Sequence, residues 1–393
     1  CHIVMPSVGA VVPAYNAAPY IEETLLSLCK QSLTLSEIIV VDDASTDNTV
    51  DIILSLAKQY KLIKLERLPV NSGPSAARNY GLALADTEWI LFMDADDIAE
   101  PHLIEKEFQR LHELEDEFPG QWVLCYTAYT FIDSLGNEIT PAFRYKQVYP
   151  DEALGYQFIR NNIAPSGVLV KRQDLLDVDG FDVALRYYED HDLWLKLAFH
   201  GGFVYVDEPL IKRRRHSNNA TARLSNAFGA EKKVLSKYPL EIIKVAIYRR
   251  RLPWWINASD FVSVLYILEY WENGLAIIKN VVENNPTFAK GFFLLGLYYL
   301  HAKLLEKAIN CFYKTIELDP YNGAALNNLG TLLALYGKVD NALCLLTKAI
   351  ELFPNYLDAG NNLKNLKLGR LSFENARFTW RELRPVLVSY QEE

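Results

Sequence analysis

Two carboxylates one residue apart, Asp94 and Asp96, follow the apolar run 89–93 and are the first candidates for chemistry in this chain. Acids placed so close together at the end of a buried strand repel each other unless a cation lies beside them. Hard oxygen ligands suit Mg²⁺ or Mn²⁺, and such an ion keeps open positions for phosphate oxygens. An isolated Asp-x-Asp is more often a turn or a helix cap, but the preceding strand favours a metal site.

A second pair of acids, Asp42 and Asp43, ends the short β-branched run 38–41. A carboxylate in this position can accept the imide N–H of uracil or a ribose hydroxyl. The alternative is a cap for the helix predicted over 49–60, which Asp47 could supply. That cap would leave Asp42 and Asp43 still to be explained.

Three further segments could bind an anion or move a proton. Gly73-Pro74 begins a predicted helix whose first turn carries Arg78, and this suits an anion or a nucleotide, although Arg78 could simply pair with a buried aspartate. The run 188–195 places three acids at the start of an amphipathic helix, where they could merely favour the helix dipole. The basic run 212–219, which contains a histidine, suits a pyrophosphate or a solvated loop.

The elements that must position these residues alternate between two patterns over the first hundred residues. Apolar strand patterns lie at 8–12, 38–41, 63–65 and 89–93, and helical patterns lie between them at 21–28, 49–60 and 75–85. This alternation predicts a parallel sheet with helices on both faces. Ligands of such sheets bind at the carboxyl ends of the strands, where the polar residues described above lie.

Length and composition favour a folded chain of two domains, with 393 residues, 50% hydrophobic and 23% charged. The net charge is −18 over residues 1–210, +10 over 211–253 and −1 over 254–393. This asymmetry favours a cation beside the acidic block and an anion beside the basic one, although surface charges could also segregate without function. No apolar run is long enough to span a membrane. Five scattered cysteines without a C-x-x-C pair argue against disulfides or a zinc site and for a reducing compartment.

The second half of the chain repeats itself with a constant period. Pro286, Pro320 and Pro354 are equally spaced, and the same step separates Gly296 from Gly330, Ala308 from Ala342 and four pairs of large apolar residues. A fixed period of about 34 residues predicts an array of helical hairpins and resembles tetratricopeptide repeats. A weaker copy precedes it at about 255–288, and a degenerate copy that follows is predicted to cap the array.

The motifs of the first half, taken together, resemble glycosyltransferase family 2 with the GT-A fold over residues 6–222. Each motif is weak alone, but seven in the expected order are specific. They are Val-Val-Pro-Ala-Tyr-Asn (11–16), Val-Asp-Asp-Ala-Ser-Thr-Asp (41–47), Asn-x-Gly with Ala-Arg-Asn (71–79), Met-Asp-Ala-Asp-Asp (93–97), Gly-Phe-Asp (180–182), Glu-Asp-x-Asp-Leu-Trp (189–194) and Arg-x-His-x-x-Asn (214–219).

The resemblance implies a role for each matching residue. Asp190 would be the general base that takes a proton from the acceptor hydroxyl, and a single in-line displacement would then invert the anomeric configuration. Asp94, Asp96 and His216 would hold Mn²⁺ or Mg²⁺. The donor-binding residues implied are Pro13, Tyr15, Asn16, Asp42, Asp43, Arg78, Asp94, Ala95 and Arg215.

We therefore expect an α/β GT-A domain (Rossmann-like, with a mostly parallel sheet) at 1–225, a basic helical linker at 226–253 and an all-α tetratricopeptide-repeat domain with a degenerate cap at 254–393. The expected enzyme is an inverting, metal-dependent hexosyl- or N-acetylhexosaminyltransferase in polysaccharide biosynthesis. UDP-sugar is the favoured donor, with dTDP and GDP donors left open, and the acceptor is a hydroxyl of a glycan, glycolipid or protein. Two alternatives are an adaptor with a weak or inactive transferase domain and a nucleotidyltransferase.

Partners and location complete the expectations. The repeats are predicted to bind a protein partner or a second copy of the chain, and no nucleic acid is expected. A cytoplasmic location is predicted. The junction sets three arginines, 249–251, beside Trp254 and Trp255, which suits peripheral contact with the inner face of a membrane. The alternative is that both tryptophans pack where the first repeat begins and the arginines are solvated.

Overall fold

The chain folds into two compact units, Cys1–Arg250 and Arg251–Glu393, in a computed structural model that describes residues 5–216 and 229–383. The first unit combines one sheet with helices, and the second is built from helices. The predicted fold class, an α/β unit followed by an all-helical unit, is confirmed.

The first unit is organised around an eight-stranded sheet with the order β3-β2-β1-β4-β7-β6-β8-β5. Strands β3, β2, β1 and β4 are parallel, β7 runs antiparallel to both β4 and β6, and β6 pairs in parallel with β8. The strands are β1 (Val8–Ala14), β2 (Glu37–Asp42), β3 (Ile63–Arg67), β4 (Trp89–Phe92), β5 (Ile98–Ala99), β6 (Trp122–Ile132), β7 (Leu169–Lys171) and β8 (Gly202–Arg214).

The central strands are buried along their length because both faces of the sheet are covered. Every residue of β2 and β4 is buried, as expected for parallel strands between two helical layers. The helices of this unit are α1 (Ile21–Cys29), α2 (Thr49–Gln59), α3 (Pro74–Leu84), α4 (Leu103–Glu117), α5 (Ala153–Ile159), α6 (Arg172–Asp177), α7 (Glu189–Ala198), α8 (Ala230–Leu235) and α9 (Leu240–Tyr248).

This topology gathers the polar motifs. The carboxyl ends of β1, β2 and β4 lie side by side, since the three strands pair in parallel in the order β2-β1-β4. Helix α7 packs its apolar face into the core beneath them through Leu193, Trp194 and Leu197. Its first turn, with Glu189 and Asp190, is thereby held at the protein core.

The second unit consists of consecutive helical hairpins. Its helices are α10 (Trp254–Ile267), α11 (Trp271–Asn284), α12 (Ala289–His301), α13 (Leu305–Leu318), α14 (Gly323–Leu335), α15 (Val339–Leu352) and α16 (Leu357–Lys367). From α12 to α16, equivalent helices start at a constant step along the chain, and this step matches the period of the sequence. The hairpin array predicted from this period is therefore present, and its assignment to the tetratricopeptide family stays a prediction.

Small residues allow the helices of each hairpin to pack closely. A Cβ built on Gly296 would lie 2.7 Å from the Phe312 ring, so only glycine permits this approach of α12 to α13. One repeat later, Gly330 faces Leu346 in the same way. The repeating glycine and the repeating large residue are thus two sides of one contact.

The end of the helical array departs from the repeat pattern of the sequence. The degenerate last copy forms α16, but the residues that align with its second helix, 371–383, form no helix. Residues 373–375 form a turn, and the residues that follow run along the helices of the second unit without regular secondary structure. Among the described residues, no helix combines the length and hydropathy required to cross a bilayer.

Candidate active site

The loop after β1 is held in shape by the loop after β2. Asn16 N–H donates to Ser45 Oγ at 2.9 Å, and Asn16 Oδ1 accepts from the Thr46 N–H at 2.8 Å. Asn16 and Ala44 both have positive φ, at 46° and 61°, a conformation that asparagine tolerates better than most residues. Tyr15, which precedes Asn16, is 53% exposed, and Pro13 is half-buried. The predicted donor loop is therefore fixed, and its aromatic side chain is accessible.

The two acids that end β2 have different roles. Asp43 anchors the loop before α3, because its carboxylate accepts the Ser72 N–H at 2.7 Å and the Gly73 N–H at 2.8 Å. Asp42 is completely buried and accepts the N–H of Ser45. No atom of Asp42 reaches the surface, so the contact of this carboxylate with a donor stays a prediction.

A buried arginine links the strand-end acid of β4 to the start of α7. Arg78 Nη2 lies 2.9 Å from Asp94 Oδ1, and Arg78 Nη1 lies 3.3 Å from Glu189 Oε1. Burial lowers the pKa of Arg78, but the charges of Asp94 and Glu189 outweigh it and raise this pKa. Arg78 thus pairs with carboxylates, as the alternative to an anion site predicted. This pairing joins the motif that contains Asp94 to the motif that contains Glu189.

Asp96 and His216 form the pair best suited to a divalent cation. His216 Nε2 lies 2.7 Å from Asp96 Oδ2, and both side chains remain partly exposed. One carboxylate and one imidazole with open positions fit Mn²⁺ or Mg²⁺ that is also bound by substrate phosphates. Asp94 instead pairs with Arg78. No group of three or more metal-binding side chains occurs among residues 5–216 and 229–383, so phosphate or water would complete the coordination.

The turn that carries Asp96 is fixed from behind. Asp97 Oδ2 accepts from Ser166 Oγ at 2.5 Å, and Asp97 Oδ1 accepts the Arg214 N–H at 2.9 Å. Burial, and then the charges of Asp96 and Asp94, raise the pKa of Asp97 well above its usual value. Ala95 is buried, and its carbonyl accepts from Thr24 Oγ1 at 2.9 Å. These contacts hold the Asp-x-Asp turn rigidly at the end of β4.

Asp190 is the carboxylate whose environment best suits a general base. Burial, and secondly the charge of Glu189, raise its pKa to about 7. Its oxygens accept the His191 N–H at 2.8 Å and the Asn161 amide at 3.3 Å. The preceding Tyr188 has a φ of 61°, which is strained for a residue with a Cβ. A base is most effective when its pKa lies near the working pH.

The end of β8 supplies the cations. Arg213 and Arg215 alternate with Arg214 along the strand, so they lie on the face opposite to it. The Arg213 guanidinium lies 5.0 Å from the centre of the Tyr129 ring and interacts with the charges of Asp97, Asp94 and Asp190. Burial, and then Arg213, lower the pKa of Arg215. Two neighbouring, poorly hydrated cations would be stabilised by an anion such as a diphosphate.

Several functional candidates were missed by reasoning from the sequence. Glu189 and Ser166 were given no role, and Arg213 appeared only as part of a basic run. Lys237 was also missed, and it donates to Asp182 Oδ2 and Asp192 Oδ1, both at 2.7 Å, which fixes α7 from the basic segment. Successive residues of a strand face opposite sides, so the run of three arginines at 213–215 could have indicated that Arg213 shares a face with Arg215. Asn219, the last residue of the predicted histidine motif, lies outside the described residues.

Comparisons with known proteins identify the family of this chain. A family model described as glycosyl transferase family 2 matches residues 10–172. An uncharacterized glycosyltransferase of Haemophilus influenzae is 31% identical over 222 residues, which cover 55% of this chain and 68% of that protein. A second one from the same organism is 36% identical over 135 residues, 34% of this chain and 52% of that protein. The chain belongs to glycosyl transferase family 2.

Other relatives differ in how much of them this chain covers. The putative teichuronic acid biosynthesis glycosyltransferase TuaG of Bacillus subtilis is 29% identical over 59% of this chain and 87% of its own length. The chain spans about half or less of the length of several curated relatives, namely 52%, 37% and 36%. The crystal structure of S. aureus TarS 1–349 in complex with UDP is 19% identical, with a TM-score of 0.49, over 84% of this chain and 91% of that chain. At that identity and score, the likeness leaves the ligands of this chain open.

Proposed function

We propose that this chain is an inverting, metal-dependent glycosyltransferase of the hexosyl or N-acetylhexosaminyl type, and that it transfers a sugar from a nucleotide diphosphate to a hydroxyl. The observation that carries the proposal is the position of Asp190. This half-buried carboxylate has a pKa raised to about 7 by loss of hydration and by Glu189, and it interacts with the same Arg78 that pairs with the strand-end Asp94.

In the proposed reaction, Asp190 removes the proton from the acceptor hydroxyl. A sugar hydroxyl is a poor nucleophile at neutral pH, so a base within about 3 Å of it is required. The acceptor oxygen then forms a bond to the anomeric carbon as the bond from that carbon to the diphosphate oxygen breaks. A single displacement from the opposite side inverts the anomeric configuration.

The remaining residues bind the donor. Asp96 and His216 would hold Mn²⁺ or Mg²⁺, which supplies positive charge to the leaving diphosphate when it is bound. Arg213 and Arg215 stabilise the same charge as it develops. The loop with Tyr15 and Asn16 would bind the base and ribose. The Asp43 carboxylate would take part through the lone pairs that do not accept the Ser72 and Gly73 N–H groups. An imide-bearing base fits this arrangement, so UDP-sugar is the proposed donor.

The proposed acceptor class and location rest on one relative and on the cysteines. TuaG is by its name a protein of teichuronic acid biosynthesis, and we propose a polysaccharide, a lipid-linked glycan or a glycosylated protein as the acceptor. The cysteines within the described residues, Cys29, Cys125, Cys311 and Cys344, are free thiols. Free thiols support a cytoplasmic location, where the compartment keeps them reduced.

The test is hydrolysis of a panel of nucleotide sugars by the full chain, with Mn²⁺ or Mg²⁺ and with excess EDTA. We expect hydrolysis of a UDP-sugar that depends on metal. Asp190→Asn should lower kcat by at least ~10²-fold with little change in the Kd for UDP. Asp51→Asn, on the exposed face of α2, is the matched control and should behave as the wild type. Near-normal turnover of Asp190→Asn would remove Asp190 from its role.

A further inference from the structure

A segment without helix is hydrogen-bonded to the helices of the second unit. Residues 371–383, here called the latch segment, contain no helix and run along α14 and α16. Asn327, Asn328 and Asn362 contact this segment and are completely buried. We call the surface formed by these three side chains the asparagine groove.

The groove binds the main chain of the latch segment at two alternate residues. Asn362 donates to the Arg377 carbonyl at 2.7 Å and accepts the Arg377 N–H at 2.8 Å. Asn328 donates to the Thr379 carbonyl at 2.9 Å and accepts the Thr379 N–H at 2.8 Å. Each asparagine therefore satisfies both backbone groups of one residue, as a neighbouring β-strand would do.

The repeat of the sequence generates this arrangement. Asn327-Asn328 on α14 and Asn361-Asn362 on α16 are separated by one repeat period and so occupy equivalent positions in consecutive repeats. The equivalent residues of the preceding repeat are Phe293 and Leu294. One repeat thus advances the bound chain by two residues, from Arg377 to Thr379. Buried amides in a helical array cost free energy unless they are hydrogen-bonded, and the bound main chain supplies those bonds.

Side chains of the latch segment add selectivity. Thr379 Oγ1 donates to Asp358 Oδ2 at 2.8 Å, and the Trp380 ring lies 5.9 Å from the Trp271 ring. Glu382 pairs with Lys290 at 3.2 Å. Phe378 and Leu383 pack against the core of the repeats. The groove therefore fits an extended segment with a hydroxyl residue between two aromatic residues and an acid further along.

We propose that the asparagine groove is a binding site for an extended peptide of a partner protein, and that the latch segment occupies it as a competing ligand within the same chain. The main-chain hydrogen bonds can be made by any extended chain, so a partner can replace the latch segment bond for bond. A segment of the same chain acts at an effective concentration on the order of millimolar. Weakening the latch segment should therefore strengthen the binding of a partner. This inference does not depend on the proposed transferase activity.

The probe is a fluorescent synthetic peptide with the sequence of residues 371–383, titrated into the full chain and followed by anisotropy. The variant Phe378→Ala/Trp380→Ala removes two side-chain anchors of the latch segment and should bind the probe at least ~10-fold more tightly than the wild type. Phe373→Ala, an exposed aromatic of the same segment, is the matched control and should bind as the wild type does.

Two further arms test how the groove recognises its ligand. Adding Asn328→Ala to the latch variant should abolish the gain, whereas adding Asn284→Ala should keep it, because Asn284 is exposed and bonds only within α11 in the contacts described. A probe with the amide of its Thr379 equivalent N-methylated should lose binding, since Asn328 accepts that N–H.

A measurement on the wild-type protein does not depend on whether the variants fold. Excess unlabelled peptide should increase hydrogen–deuterium exchange in residues 371–383 of the full wild-type chain. Binding of the probe to none of these proteins, with no change in exchange, would make the latch segment a permanent part of the fold and overturn the proposal. Equal binding to the N-methylated peptide would overturn main-chain recognition.

Discussion

At the scale of single residues, Asp94 and Asp190 differ in the groups that surround their carboxylates. Asp94 is paired with Arg78, whose Nη2 lies 2.9 Å from Asp94 Oδ1. Asp190 is half-buried beside Glu189, so its charge is disfavoured and its pKa rises to about 7. Under the proposed function, the first carboxylate would have a binding role, and the second could exchange a proton at neutral pH.

The raised pKa predicts the pH dependence of turnover. Because the base acts when deprotonated, kcat at saturating donor and metal should be constant above pH 7 and fall about tenfold per pH unit below it. Glu189 raises this pKa, while Arg78 and Arg213 lower it. Glu189→Gln should therefore move the acid limb to lower pH. The measurement is a pH–rate profile, and an unmoved limb would argue against Asp190 as the titrating group.

The proposed metal-binding residues, Asp96 and His216, give a second prediction at the scale of single residues. His216→Ala should raise the Mn²⁺ concentration that gives half-maximal activity by at least ~10-fold, because it removes one of the two proposed protein ligands. Calorimetric titration of Mn²⁺ with UDP should show the same loss without relying on activity. His102→Ala is the matched control, since its imidazole is exposed and pairs with Glu105. Unchanged metal dependence in His216→Ala would exclude this ligand.

At the scale of elements, α4 carries an acid where the core would accept an apolar residue. Glu107 is completely buried, and neither of its carboxylate oxygens has a hydrogen-bond partner within the described residues. Burial raises its pKa well above the usual value. The folded state therefore holds a proton that the unfolded state releases above its ordinary pKa of about 4.3.

This burial predicts a stability that depends on pH. Stability should fall as pH rises from the unfolded pKa to the folded one, by up to about 1.4 kcal/mol per pH unit. Glu107→Gln cannot lose a proton, so its advantage over the wild type should grow between pH 5 and pH 8. Urea unfolding at both pH values measures it. Glu105→Gln, on the exposed side of the same helix, should show no such growth. An equal difference at both pH values would contradict the assignment.

Helix α9 presents an exposed apolar face with cations beside it. Ile242, Val245 and Tyr248 are 41%, 48% and 37% exposed, and Lys244 and Arg249 are also exposed. Arg250 is buried and lies 4.8 Å from the centre of the Tyr156 ring, so it is excluded from the predicted membrane contact. Contact with lipid stays a proposal, and these residues define where it would occur.

The corresponding test uses liposomes. Binding to anionic vesicles at low salt should weaken in Lys244→Ala/Arg249→Ala, since each cation near such a surface contributes about 1 kcal/mol. Neutral vesicles should bind less at the same salt. The matched control is Lys58→Ala/Lys61→Ala, at and after the end of α2. Equal sedimentation of wild type and α9 variant with anionic vesicles would leave α9 without a membrane role.

At the scale of the whole molecule, the two compact units predict a separable transferase. All the proposed catalytic and donor-binding residues lie within Cys1–Arg250. A chain of residues 1–250 should therefore hydrolyse the donor at a rate within about threefold of the full chain. Circular dichroism and thermal unfolding establish that it is folded. A folded 1–250 without hydrolysis would show that the repeats are needed for the active site.

The sequence by itself determined the order of elements and the motifs at the strand ends. Apolar strands alternate with amphipathic helices, and this local periodicity is sufficient to predict a sheet whose carboxyl edge carries Asp43, Asp94 and Asp96. The constant spacing of prolines and glycines in the second half likewise predicted the helical hairpins. Both signals are local or periodic, so no knowledge of distant contacts was required.

Only the tertiary structure decided which distant groups meet. The pairing of Arg78 with Glu189 spans 111 positions, and that of Asp96 with His216 spans 120. The raised pKa of Asp190 depends on burial, which is set by packing around α7. The latch segment is the sharpest case: its sequence aligns with a second helix, yet it is extended because Asn328 and Asn362 take its backbone hydrogen bonds. Interactions of this kind depend on three-dimensional proximity, which neither residue type nor spacing records.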